Sequence, residues 1–206
     1  MKYPVLAGLA FLLPLSMQAG QPVKEVAPVY SPFDKGNMEL QIGTGAFFSI
    51  KTNGSATKPD IADVDVSLNV GWMLNTPSGD AWYSGNFEFL IEAFGGVIVD
   101  GPGDGLGGLA LRLRYNFVQP GAKLVPYFQI GAGGVYSDIS DDPVQRLVGQ
   151  EFEFNLQAAV GLRYFIGERT AIFGEFGWRH ISNADTADRN VGFNALGGVV
   201  GVSMFF

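Results

Sequence analysis

One imidazole and one hydroxyl, two residues apart, form a pairing through which this chain could use histidine as a general base. His180 is the single histidine of 206 residues, and Ser182 follows it with Ile181 between. In an extended strand, residues i and i+2 share a face roughly 6.6 Å apart along the axis. The imidazole can then take the hydroxyl proton and turn the serine into a nucleophile. Such a base works best with a third group that orients its other nitrogen. Asn194 is the candidate, because the next strand returns beside this one and brings position 194 near His180. Asn183 and Asn190 lie in the segment between the two strands, where an amide could donate to a developing oxyanion. The chain has no cysteine, which removes thiol nucleophiles, disulfides and thiolate metal sites. Histidine metal clusters are excluded in the same way, leaving only carboxylate oxygen sites for hard cations.

The elements that must position these residues are strands. Val64, Val66, Leu68, Val70, Trp72 and Leu74 alternate with Asp63, Asp65, Ser67, Asn69 and Gly71. Phe152, Phe154, Leu156, Ala158, Val160, Leu162, Tyr164 and Ile166 alternate with Glu151, Glu153, Asn155, Gln157 and Arg163. A period of two means one apolar and one polar face. Eight such segments occur, at 38–50, 61–75, 83–98, 106–118, 123–137, 150–166, 169–182 and 193–206. They are longer than the roughly 5–6 residues of an ordinary strand and suit a membrane strand, which needs about 9–11. Charged residues make 16% of the chain, against about 25% for a soluble domain. No run of about 20 apolar residues follows the N-terminal stretch.

The fold expected is therefore all-β: an eight-stranded antiparallel transmembrane barrel of the outer-membrane type, over residues 38–206. Such a barrel is just wide enough to fill with side chains. Arg112, Arg114, Arg163 and Arg179 are expected inside, paired with Glu88, Glu92, Glu151, Glu153 and Glu175. Met1–Ala19, with Lys2, an apolar stretch and a small-residue end, reads as a signal peptide. Residues 20–37, with three prolines, read as a periplasmic lead-in. Parity then fixes the candidate site. Phe176, Trp178, His180 and Ser182 share the face opposite Glu175, Gly177 and Arg179, so the pair points to lipid at the level of the outer leaflet. A polar pair costs free energy there, and insertion alone would favour Leu or Phe.

Other motifs have plainer readings. Gly103-Asp104-Gly105-Leu106-Gly107-Gly108 has the letters of a dinucleotide fingerprint, but a strand follows it where a helix is required. Asn53-Gly54-Ser55 has the letters of a glycosylation sequon, but in an outer loop it reads most simply as a turn. Asp138, Asp141 and Asp142 read as a solvated acidic loop, lacking the fixed ligand spacing of a cation site. Ser203 sits mid-strand and faces the lumen. A net charge of −7 argues against nucleic acid, whose phosphates need a basic face.

Arg179-His180-Ile181-Ser182-Asn183-Ala184, followed by Asn190-Val191-Gly192-Phe193-Asn194, resembles the PagL family of outer-membrane lipid A 3-O-deacylases. The resemblance implies an eight-stranded barrel with a Ser/His/acid site on its outside near the outer leaflet. It implies removal of the ester-linked acyl chain at the 3 position of lipid A, without a metal or other cofactor. Its site residues would be His180 as general base, Ser182 as nucleophile, and Asn183 and Asn190 as polar supports of the site or its oxyanion hole. Asn194 stands where the family carries Glu, an arrangement that resembles the Ser/His/Asn set of the outer-membrane phospholipases. Asp185 and Asp188 are other acids nearby. The implied partner is lipopolysaccharide in the outer leaflet, and a homodimer is compatible with the sequence. The rival classes are a non-catalytic small barrel serving adhesion, envelope stability or hydrophobic transport, and a phospholipase.

Overall fold

The computed structural model describes residues 31–51, 60–79 and 81–206. The expected signal segment, the start of the lead-in and the Asn53-Gly54-Ser55 turn lie outside those residues. Eight strands follow one another: β1 Met38–Ile50, β2 Ala62–Met73, β3 Gly85–Asp100, β4 Gly105–Phe117, β5 Leu124–Ser137, β6 Phe152–Phe165, β7 Thr170–Ser182 and β8 Phe193–Phe205. Each pairs antiparallel with its neighbours in sequence, and β8 closes on β1 to complete a barrel. Closure leaves no free edge, the condition for a sheet to cross a bilayer. The strand ends fall within two residues of those expected from alternation.

Alternation places apolar side chains outside, with Ile42 57% and Leu109 63% exposed, and polar ones inside. Most of the interior charges pair with one another, as burial requires, whereas Glu153 has no arginine partner among the described residues and accepts from the backbone of Gly149 and Gln150 at 3.1 and 3.3 Å. Arg114 reaches Glu39 at 3.0 Å and Glu88 at 3.3 Å, and donates to Gln41 and Gln129 at 2.8 and 2.7 Å. Arg163 reaches Glu39 at 2.5 Å and donates to Asn116 at 2.6 Å. Both guanidinium groups lie over the Tyr127 ring. Arg112 pairs with Glu92.

One expected lumenal acid is elsewhere. Glu151 is exposed and lies just before β6, where parity no longer governs direction. Its carbonyl accepts a bond from Ser137 N at 2.9 Å instead. Glu39, at the start of β1, is a further interior acid.

Apolar clusters close both ends of the barrel. Ile61, Phe94, Val135, Leu147, Ile181 and Phe193 are among the cluster at the end carrying the longest loop, residues 138–151. Phe33, Met73, Val125, Ala171 and Phe205 pack at the end where the chain enters β1. Ser203 is fully buried and accepts a bond from Gln41 at 3.2 Å, as its parity requires.

Candidate active site

The site is built on the β7–β8 hairpin. Arg179 anchors β7 from within, bonded to Asp63 at 3.2 Å and Asp65 at 2.5 Å and lying over the Phe47 ring. Ile181 is buried in the apolar cluster beside it. With 179 and 181 inside, 178, 180 and 182 must point to the outer wall. Their neighbours on that wall are Ala158, Leu156 and Phe154 of β6, opposite Trp178, His180 and Ser182 respectively.

His180 Nε2 lies 3.1 Å from Ser182 Oγ, and Nδ1 lies 3.1 Å from Asn194 Oδ1. His180 and Asn194 are direct cross-strand partners. The three side chains are half-buried. Trp178 also belongs to this group, which parity alone does not reveal. Its Nε1 donates to Asn194 Oδ1 at 3.1 Å, and its ring stacks on the imidazole at 6.0 Å with a 13° interplanar angle. An indole N–H can only donate, so the Asn194 atom it meets is the oxygen. The Nδ1 that shares this oxygen then carries the proton. Nε2 is left with its lone pair toward the serine hydroxyl, as a general base requires.

The loop at 183–192 is braced by the two asparagines. Asn183 is buried, and its Nδ2 donates to Arg189 O at 3.0 Å. Its backbone N–H donates to Asn190 Oδ1 at 2.9 Å, and Asn190 Nδ2 donates to Asp185 at 2.7 Å. Both side-chain amides are thus engaged in shaping the loop. Ala184 and Asp185 take left-handed backbone conformations at its turn. The two ring nitrogens of His180 meet Ser182 and Asn194, while Asp185 faces Asn190. Asp188 is exposed.

Arg189 and Gly192 are among the residues that tie this loop to residues 138–151. Arg189 donates to the carbonyls of Ser140, Asp142 and Gln145 at 2.8, 2.9 and 3.3 Å. Gly192 N donates to Leu147 O at 2.8 Å. Gly192 has φ +62°, and a Cβ there would lie 3.1 Å from Ser182 Cβ and 3.3 Å from His180 Cε1. No local pattern reveals these contacts, since they join segments about 45 residues apart. The acidic loop is likewise structural: Asp138 caps Asp104 N and Gly105 N at 2.8 and 3.1 Å, and Asp142 caps Val144 N at 2.8 Å.

Among solved structures, the chain resembles neisserial surface protein A at 12% identity and TM-score 0.54, covering 83% of this chain and 98% of that one. The outer-membrane enzyme PagL matches at 15% identity and TM-score 0.53, covering 81% and 98%. The N-terminal barrel domain of Pseudomonas aeruginosa OprF matches at 17% identity and TM-score 0.50, covering 84% and 98%. These likenesses show the fold, that of outer-membrane barrels. No curated protein matches the chain. Residues 62–203 match the family described as lipid A 3-O-deacylase (PagL). That span holds the whole hydrogen-bonded group from Trp178 to Asn194, and the chain belongs to the PagL family of lipid A 3-O-deacylases.

Proposed function

We propose that this chain hydrolyses the 3-O-linked acyl ester of lipid A with Ser182 as nucleophile, His180 as general base and Asn194 as the group that orients the imidazole. The observation that carries the reading is the relay from Asn194 through His180 to Ser182, 3.1 Å at each step. It lies on an outer wall whose neighbouring side chains, Phe154, Leu156 and Phe176, are apolar and exposed. In the proposed orientation this wall faces the outer leaflet, and the residue 1–19 signal segment is removed on export.

Ser182 Oγ attacks the ester carbonyl as its proton moves to His180 Nε2. The tetrahedral intermediate collapses, the acyl–oxygen bond of the ester breaks, and the imidazolium returns the proton to the leaving 3-hydroxyl. Water then repeats the sequence on the acyl-serine and frees the fatty acid. Asn194 Oδ1 accepts from Nδ1 throughout, without the charge that a carboxylate would bring to the imidazolium. Asn183 and Asn190 hold the loop above Ser182 in shape, and no metal or cofactor enters the scheme.

The acyl chain has a path on the same wall. Gly174 and Gly198 leave a hollow of about 790 Å³, flanked by Phe128, Val160, Leu162, Phe176 and Val200. His180 lies four residue steps along β7 from Phe176, about 13 Å at the usual strand rise.

Mass spectrometry of lipid A from cells expressing the chain tests the reading. Loss of one 3-hydroxyacyl group is expected, abolished by Ser182→Ala and by His180→Ala. Unchanged lipid A would overturn it. Accumulation of lysophospholipid in its place would assign the relay to a phospholipase.

A further inference from the structure

We infer that Trp178 is a positioning residue that sets the tautomer of His180 by fixing which end of the Asn194 amide faces the imidazole; this rests on the reading of the relay proposed above. A side-chain amide has two chemically different ends of nearly the same shape, one accepting and one donating. With the oxygen toward His180, Nδ1 holds the proton and Nε2 is free to accept from Ser182. With the NH₂ toward His180, Nδ1 must accept, and the proton moves to Nε2. Nε2–H then donates to Ser182 Oγ, and no base faces the hydroxyl. Both arrangements satisfy every hydrogen bond between the asparagine, the imidazole and the serine, so those three residues alone do not choose between them.

Trp178 breaks the tie. Its Nε1–H points at the same Asn194 oxygen from 3.1 Å. Turning the amide would set an NH₂ against an N–H, two donors facing with nothing to accept. An unsatisfied donor in a partly desolvated place costs about 1–3 kcal/mol. The indole also stacks on the imidazole at 6.0 Å, so the donor and the ring it controls move as one unit. The diagonal from position 178 to position 194 is available because His180 pairs directly with Asn194 and Trp178 lies one row further along the wall. A carboxylate at position 194 would need no such device, because both its ends accept.

The single histidine makes the test direct. In protein carrying ¹⁵N-labelled histidine, folded in detergent micelles, one imidazole gives the whole ¹⁵N spectrum. The parent is expected to show the tautomer protonated at Nδ1. Trp178→Phe keeps the ring and removes the donor. It is expected to show a mixture of tautomers, with kcat for acyl release lowered about twofold, since two states between which nothing chooses leave about half of the molecules competent. In the Asn194→Asp background the same Trp178→Phe change is expected to leave both tautomer and kcat unaltered. A parent-like spectrum for Trp178→Phe overturns the inference. So does an equal fall in kcat in both backgrounds, which would mark Trp178 as packing alone. If the parent releases no acyl group at all, the deacylase reading fails, and the tautomer spectra still decide the role of Trp178.

Discussion

Alanine at position 192 should separate activity from folding. Gly192 sits at φ +62°, a conformation that costs a residue with a Cβ roughly 1–2 kcal/mol. The added carbon would also stand 2.9 Å from Ile181 O, 3.1 Å from Ser182 Cβ and 3.3 Å from His180 Cε1, inside the 3.4 Å at which ordinary contact begins. Relief requires the serine and the imidazole to retreat by a few tenths of an ångström from a 3.1 Å hydrogen bond. A displacement of about 1 Å can cost about a hundredfold in rate, so a shift of this size should cost about tenfold in kcat. Gly121→Ala is the control. Its φ of +72° imposes the same backbone cost, but no atom lies within 4 Å of the new carbon. The assay is acyl release from lipopolysaccharide in mixed micelles, with the folded fraction measured by heat-modifiable migration on gels. Both variants should lose the backbone cost, Gly192→Ala somewhat more because of its contacts, and only Gly192→Ala should lose activity per folded molecule. A Gly192→Ala protein as active as the parent, or a Gly121→Ala protein equally impaired, would refute the contact argument.

Removing Arg114 should be costly: Arg114→Met leaves Glu39 and Glu88, both fully buried, with Arg163 alone. Loss of one partner of such a cluster costs about 3–5 kcal/mol, to be read from urea titration of folding into vesicles, and a loss under about 1 kcal/mol would show the cluster is dispensable. Gly174→Leu should fold normally, since no atom lies within 4 Å of a Cβ there, yet it fills the hollow below the site. Activity on long acyl chains should fall relative to short ones, and an unchanged ratio would place the chain elsewhere on the wall.

The barrel is legible in the sequence because a strand with one face in lipid and one in a packed polar interior must alternate, residue by residue, along its whole length. The same parity carries His180, Ser182 and Asn194 onto one face, and the hairpin joins them. Parity fails where strands end: Glu151 precedes β6 by one residue and turns to solvent, whereas Glu39 lies within β1 and follows its alternation inward to Arg114 and Arg163. Trp178 is visible as an outward aromatic, but its role depends on a diagonal contact across the hairpin that periodicity does not encode. Arg189 and Gly192 act through carbonyls of a loop with no regular pattern, so their part emerges only when the two loops are seen packed together. Asn183 and Asn190 stand in sequence as free donors beside the serine, whereas loop closure commits both amides to the backbone and to Asp185.

The two apolar clusters that stop the ends of the barrel bear on where the second reactant comes from. The lumenal hollow beside Arg112 and Glu92 has about 20 Å³, room for about one water molecule. The hydrolysis proposed for the outer wall would therefore draw its water from the headgroup layer around the barrel and not along its axis. Under that proposal the depth at which an ester carbonyl rides in the leaflet becomes a selection rule: a bond level with Ser182 would meet both nucleophile and water, and a bond deeper along β7 would meet only hydrocarbon. The fatty acid released in the proposed reaction would start in the same leaflet that held it as an ester.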